Sequence, residues 1–432
     1  MKRRFSKSET EYASVISVTK RLAALFCASS LLVFSVTSCG ILEMRDATSE
    51  INTREETAAP TLQQAERYSE TETEPETESE TELLPPETEP APEEIKNSIQ
   101  LALAGGVIID KAICADAAAR AVEGKDYSFL TMYSAIFPLI QDADMSMVTL
   151  HTPAADADVF GLSEETYTNM PADSLTALMV LGFDVANTAG TKRLDCGVAG
   201  MDSTIDNVRE TGMMQIGAYK DDIDAGDVRV LEVNGIRVAF VAFTENADDA
   251  GSLVLHDLTD APIAASLITY ADLVSDVVVA AVTWDNNTGS AVREEQKNAA
   301  QILAEAGADI IVGSDGTGLQ KAEWLTTEDG TKTFTAYSLG NLMATPADAA
   351  SALGGLLTLD VTLAEDGTAS LENVVIHPIM KHYDAGQTGY QVTEFFKYNA
   401  ADTHGAEGMN MADLYTAVYS VVPEEFLPET NG

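Results

Sequence analysis

The chain has 432 residues, with 69 Asp and Glu against 25 Lys and Arg, a formal net charge of −44, five His and four Cys. That length holds one large domain or two ordinary ones with appendages, and 45% hydrophobic residues exclude a chain disordered throughout. The charge argues against nucleic acid as a partner and against unaided binding to an anionic membrane, and four cysteines are too few for a disulfide scaffold.

The first stretch is basic, with Lys2, Arg3, Arg4, Lys7, Lys20 and Arg21, and an apolar run over 22–38 follows. Small residues then precede Cys39. A basic start, a short apolar run and small residues before a cut are the marks of a secretory signal, here residues 1–38. With the cysteine next in line, the pattern resembles the lipobox of bacterial lipoproteins. The resemblance implies cleavage before Cys39, diacylglycerol on its thiol, and an extracytoplasmic protein held on the membrane by lipid. The competing reading is an ordinary membrane-spanning anchor with an incidental cysteine. Cys27 leaves with the signal. Cys114 and Cys196 remain, either as a disulfide or as two buried thiols, without metal-ligand spacing.

Residues 39–96 alternate Glu and Thr with interspersed Pro, as in Ser69-Glu70-Thr71-Glu72-Thr73-Glu74-Pro75. Such a segment cannot bury apolar surface and repels itself, so it is expected to be a disordered, extended tether that gives reach across the cell wall. Residues 40–95 carry a net −14, the first 39 a net +4, and the remaining 337 a net −34. Most of the charge therefore lies on the globular part.

From residue 97 the chain reads as alternating strands and helices. Residues 99–109 suit a buried strand, 127–140 have helical apolar spacing, 183–186 form a short strand, and 200–211 a helix stopped by Gly212. Residues 229–233 and 236–243 around Asn234-Gly235 predict a hairpin. A strand over 276–284, a helix over 291–306 stopped by Gly307, and strands over 309–312 and 334–339 come next. A hairpin of 356–363 with 369–376 follows. The expected fold class is α/β, a layered sandwich of mixed sheets flanked by helices after the disordered tether. The main domain is expected to span 97–385, with a C-terminal extension over 386–432.

Several segments carry a family resemblance. They include Leu303-Ala304-Glu305-Ala306-Gly307-Ala308-Asp309-Ile310-Ile311-Val312-Gly313, then Leu319-Gln320, then Tyr337-Ser338-Leu339-Gly340-Asn341. Asn234-Gly235-Ile236-Arg237-Val238-Ala239-Phe240 and Leu194-Asp195-Cys196-Gly197 add to them. Together they are similar to the CapA family, the capsule and poly-γ-glutamate synthesis proteins of the calcineurin-like metallophosphoesterase superfamily. The resemblance spans roughly 101–341 and implies a metallophosphoesterase-like sandwich.

It also implies a two-metal centre, and there the sequence departs from the pattern. Where the family has its first metal aspartate after a glycine, this chain has Gly105-Gly106. N-L-E becomes Thr149-Leu150-His151, and A-N-N-H becomes Ala186-Asn187-Thr188-Ala189. H-W-G becomes Thr283-Trp284-Asp285, and G-H-H-P-H becomes Gly313-Ser314-Asp315-Gly316-Thr317. Thr, Ala and Gly offer no anionic or imidazole ligand, so no metal cofactor and no catalytic residue are expected. Asp110, Asp285 and Asp315, with His151 nearby, remain candidates for a rebuilt oxygen-rich Ca²⁺ or Mg²⁺ site, against the reading that they are solvated loop residues. His256, His377, His382 and His404 read as packing or surface residues, and Trp284 as core or as a ligand-stacking ring. Asn341 and Asp195 read as caps of a strand end and a turn.

Three functions follow as expectations. The first is a surface-anchored relative of the capsule proteins without hydrolase activity, acting on a capsule-machinery protein partner or, less compatibly with −34 charges, an anionic polymer. The second is a hydrolase with the rebuilt Asp-rich site. The third is a solute-binding lipoprotein, which would need two lobes and a hinge.

Overall fold

The computed structural model describes residues 97–429 apart from 248–249, 285–288, 315–317, 400–403 and 407–408. The expected signal, Cys39 and the acidic tether lie outside the described residues, as do Asp285, Asp315 and Thr317.

The strands in chain order begin with β1 (Ser98–Val107), β2 (Met145–Leu150), β3 (Val185–Asn187), β4 (Met214–Ile216), β5 (Ala218–Tyr219) and β6 (Arg229–Val233). They continue with β7 (Ile236–Thr244), β8 (Val254–Leu255), β9 (Val277–Thr283), β10 (Ile310–Ser314) and β11 (Ala322–Thr326). Last come β12 (Lys332–Ala336), β13 (Asn341–Met343), β14 (Leu353–Leu363), β15 (Ala369–Asp384) and β16 (Thr388–Glu394). The longer helices are α1 (Lys111–Ala119), α2 (Ala172–Leu181), α3 (Gly197–Glu210), α4 (Ala261–Val274), α5 (Glu294–Glu305) and α6 (Met411–Val421).

One sheet runs β16-β15-β14-β1-β2-β3-β4, with β13 also paired to β1, and a second runs β11-β12-β10-β9-β7-β6. Both are mixed. Strands β1 to β4 pair in parallel while β14, β15 and β16 form an antiparallel meander on the other side of β1. Period-two alternation sets the layers. Val238, Phe240 and Ala242 of β7 and Val277, Val279 and Ala281 of β9 face a core shared with Leu101, Leu103, Met147 and Val185 of the other sheet. The residues between them, Ala239, Val241, Phe243, Val278, Ala280 and Val282, pack under Ala264, Ile268 and Ala271 of α4 and Leu303 of α5. On the far side, Val148 and Leu150 of β2 pack under Ile113 of α1 and Leu175, Leu178 and Leu181 of α2. The result is a four-layer sandwich of mixed sheets flanked by helices.

Most expected elements are present, including the β6–β7 hairpin with Asn234 and Gly235 both at positive φ. Residues 127–140 differ. A 3₁₀ turn over Leu130–Tyr133 and a short helix over Phe137–Gln141 replace the continuous helix. Pro138 stands in the first turn of that short helix, because its missing N–H and its ring do not fit a helix interior.

The boundary expected at residue 385 runs through a paired hairpin, since β16 hydrogen-bonds to β15. Farther on, Leu414, Val418 and Val421 of α6, with Phe426, join the core between the sheets. The outer edge of β16 meets α1. Asp116 accepts the N–H groups of Gly389 (3.0 Å) and Tyr390 (2.9 Å), and Arg120 donates to the Tyr390 carbonyl at 2.8 Å. Two side chains thus stand in for a neighbouring strand.

Candidate functional site

Parallel strands joined by crossovers all end on one side, so residues at their C-terminal ends gather along one rim. Gly106 of β1 lies opposite Thr149 of β2 and Asn341 of β13, and Thr149 lies opposite Asn187 of β3. In the second sheet Ser314, the last residue of β10, lies opposite Thr283, the last of β9. His151, one residue past β2, joins the two groups, with its Nε2 2.7 Å from Ser314 Oγ. Gly106, His151, Ser314 and Asn341 are therefore brought together, and all of the described polar side chains among these positions are buried.

The hydrogen bonds of His151 fix its state. The backbone N–H of Thr191 donates to Nδ1 at 3.0 Å, and a nitrogen that accepts from a backbone N–H carries no proton. The proton is therefore on Nε2, which donates to Ser314 Oγ. Complete burial, reinforced by the charge of Lys192, pushes the His151 pKa down to about 3, so the ring is neutral at ordinary pH. This tautomer excludes Ser314 as a nucleophile activated by His151. A general base would have to present a bare Nε2 to the hydroxyl.

The ring also explains the glycine beside it. A Cβ on Gly106 would overlap Cδ2 and Nε2 of His151 and stand 2.6 Å from Asn341 Oδ1. A side chain at 106 and an imidazole at 151 claim the same space.

The neighbouring groups are fastened internally. Asn187 Oδ1 accepts the Ala189 N–H at 3.0 Å, and its Nδ2 donates to Thr149 Oγ1 at 3.3 Å. The Thr188 hydroxyl donates to the Ile216 carbonyl and accepts from Gln215 Nε2, both at 2.9 Å. Thr283 is fully buried between Thr244 of β7 and Ser314. The Asn341 carbonyl accepts from Lys381 Nζ at 2.7 Å, and Lys381 also donates to the Leu353 carbonyl at 3.0 Å. Only 1% of Lys381 is exposed, and burial pushes its pKa down to about 7.

Other candidates fall outside this cluster. Asp110 is the N-cap of α1, its Oδ1 accepting the Ile113 N–H at 3.0 Å. Asp195 anchors a turn by accepting from both the N–H (2.9 Å) and the hydroxyl (2.8 Å) of Thr168. Trp284 is core. It is fully buried and donates from Nε1 to the Tyr337 carbonyl at 2.6 Å, across space that a Cβ on Gly313 would fill. His256 bonds the Ala225 carbonyl, His377 the Thr358 hydroxyl, His382 the Tyr398 hydroxyl and His404 the Lys381 carbonyl. Cys114 and Cys196 are separate free thiols, and burial pushes Cys114 up to about 12.

A two-metal centre needs carboxylates and imidazoles with free lone pairs. The described residues at these strand ends are amides and hydroxyls, with one imidazole whose nitrogens are both engaged. Among the described residues no three His, Cys, Asp or Glu side chains converge. They do not fit such a centre.

Sequence reading found His151, Ser314 and Gly106 but missed Thr191 and Lys381. Thr191 acts through its backbone N–H, which leaves no mark in a sequence. Lys381 sits among Met380, His382 and Tyr383, and only burial sets it apart from an ordinary strand lysine.

A family model described as "Bacterial capsule synthesis protein PGA_cap" matches residues 100–346. The chain is 28% identical over 185 residues to the "PGA biosynthesis protein CapA" of Bacillus subtilis (strain 168), covering 42% of this chain and 47% of that protein. It is 28% identical over 155 residues to the "Capsule biosynthesis protein CapA" of Bacillus anthracis, covering 33% and 36%. The match thus spans less than half of either relative. Among solved structures, the calcineurin-like phosphoesterase YfkN from Bacillus subtilis superposes with a TM-score of 0.40 at 11% identity, over 75% of this chain and 96% of that one. With the family match covering more than half of its residues, this chain belongs to the bacterial capsule synthesis family PGA_cap.

Proposed function

We propose that the protein is a lipid-anchored, non-hydrolytic component of a capsule or poly-γ-glutamate assembly apparatus. The observation that carries the absence of hydrolysis is His151, neutral and bonded through both ring nitrogens, with its ring in the space a side chain at Gly106 would need. The names of the two relatives support the polymer class. The lipobox-like stretch ending at Cys39 and the acidic spacer behind it support display outside the membrane. A globular part of net −34 repels an anionic polymer, which favours a protein of the assembly machinery as the direct partner.

The test uses the full chain expressed in a Gram-positive host. Labelled palmitate is expected in the wild type and not in Cys39→Ala, which is released to the medium; equal labelling of the two overturns the anchor. Elemental analysis and a bis(p-nitrophenyl) phosphate assay with Mn²⁺ are expected to give no bound metal and no turnover. Stoichiometric metal that disappears in Asp285→Asn with Asp315→Asn overturns the non-hydrolytic reading and favours the rebuilt site.

A further inference from the structure

The two sheets each end at the same rim, and the contact across it is chemically unusual for a core. Most of what joins them is apolar packing of the inner faces, from Leu101, Met147, Val238, Phe240, Val279 and their neighbours. Directional links stand at the edges, such as Asn234 Nδ2 to the Ser98 carbonyl at 3.3 Å and the Leu339 N–H to the Gly313 carbonyl at 3.0 Å. The apolar packing is non-directional, so on its own it leaves the strand ends free to slide. At the rim the joint is directional. His151 leaves β2 in the first sheet and donates to Ser314, which ends β10 in the second.

Each end of the ring is held by a different segment. Nδ1 is fixed by the Thr191 N–H (3.0 Å), the His151 N–H donates to the Val107 carbonyl (3.0 Å), and the His151 carbonyl accepts from Lys192 N (3.1 Å). Ser314 Oγ lies 3.5 Å from the Gly340 carbonyl, and that carbonyl accepts the Gly106 N–H at 2.9 Å. The end of β1, the 190–192 turn and the end of β10 thus meet at residue 151, with Gly340 beside Ser314.

We infer that His151 is an inter-sheet strut, a neutral ring that closes the rim by two opposed hydrogen bonds, and that Gly106 is glycine in order to admit it. The strut concerns closure of the fold and stands whether or not the capsule reading is right. Both ends are specific. Nδ1 faces the Thr191 N–H at 3.0 Å, with the Thr191 hydroxyl 3.3 Å away, and Nε2 meets a hydroxyl free to accept. One tautomer therefore satisfies the site, and the other turns its Nδ1–H against the backbone N–H of Thr191. A buried polar group left without its partner costs more than the bond contributes, which makes each partner depend on the other.

The dependence predicts two non-additive pairs. In the full chain, Ser314→Ala should lower the thermal midpoint by about 3 °C, and should change it little once His151→Ala is present. Gly106→Ala should lower the midpoint by about 5 °C or prevent folding, and should cost much less in the His151→Ala background, where its methyl enters space the ring has left and only the Asn341 side-chain oxygen must give way. If Gly106→Ala alone does not fold, recovery of the folded double variant is the readout. Nitrogen-15 NMR of the wild type should place the ring proton on Nε2. Equal costs of Gly106→Ala in both backgrounds, additivity of Ser314→Ala with His151→Ala, or a proton on Nδ1 would each overturn the strut.

Discussion

Two buried bases lie close to the Gly340–Asn341 segment and solve the same problem differently. His151 is bonded in both directions, accepting at one nitrogen and donating at the other. Lys381 only donates, to the carbonyls of Asn341 and Leu353, and neither acceptor carries a charge. An imidazole can be satisfied completely in its neutral form. An amine beside two carbonyls is satisfied as a donor in either form, and burial alone decides between them. The difference teaches that low exposure does not by itself mark a functional base; the bonds around it decide whether it has proton chemistry left to offer.

The pH dependence separates the two. The His151 pKa falls from 6.5 to about 3 on folding, so between those values the unfolded chain binds more protons and stability is lost as pH falls. The slope reaches about 1.4 kcal/mol per pH unit, making this the largest expected effect. Urea titrations at pH 7 and pH 4.5 should show wild type losing about 2–3 kcal/mol more than His151→Gln. Equal losses would place the acid sensitivity elsewhere.

Lys381 works in a higher window. Its pKa falls from 10.5 to about 7, so stability rises with pH from about 7 upward, and Lys381→Met should abolish that rise. Between pH 7 and pH 9 the difference between the two proteins should change by roughly 2 kcal/mol. A Lys381→Met protein with an unchanged alkaline slope would show that the amine is charged in the fold.

A carboxylate sharpens the contrast, because burial acts on it with the opposite sign. Asp309 is pushed up to about 6 by burial and by the nearby Asp272, while the Val278 N–H holds it the other way. Its folded form binds more protons between about 4 and 6, so its contribution falls as pH rises through that window. Asp309→Asn should be more stable than wild type at pH 7 by about 1 kcal/mol, with the gain vanishing near pH 4. The smallest effect belongs to an exposed ion pair. Lys297 and Glu294, one helical turn apart at 2.6 Å, form a pair screened by solvent, so Lys297→Ala should leave the thermal midpoint unchanged in about 0.5 M salt.

Much of the fold was legible because its signals are local. Asn234-Gly235 allows only a tight primed turn between apolar runs, and Gly307 with its positive φ stops α5 where the apolar spacing ends. The strand over 277–283 is buried on both faces and reads as an unbroken apolar run. Residues 127–140 have helical apolar spacing throughout, but Pro138 cannot lie in a helix interior and confines the helical turn to Phe137–Gln141. Strand β16 carried no warning that Asp116 and Arg120, more than 260 residues away in sequence, complete its edge.

The candidate site divides along the same line. By itself the sequence determined which residue types stand at the strand ends, with glycine, threonine and serine at the positions that the family resemblance pairs with metal ligands. It also determined the charge of −34 on the globular part and the spacing around Cys39. Only the tertiary structure decided that Asp110 is a helix cap, that Trp284 is core, and that His151 reaches across to Ser314, 163 residues away. Side-chain identity is written in the chain, but hydrogen-bond direction is not. The tautomer of His151 depends on the backbone N–H of Thr191 and on a hydroxyl from another sheet, and those meet only when the two sheets close.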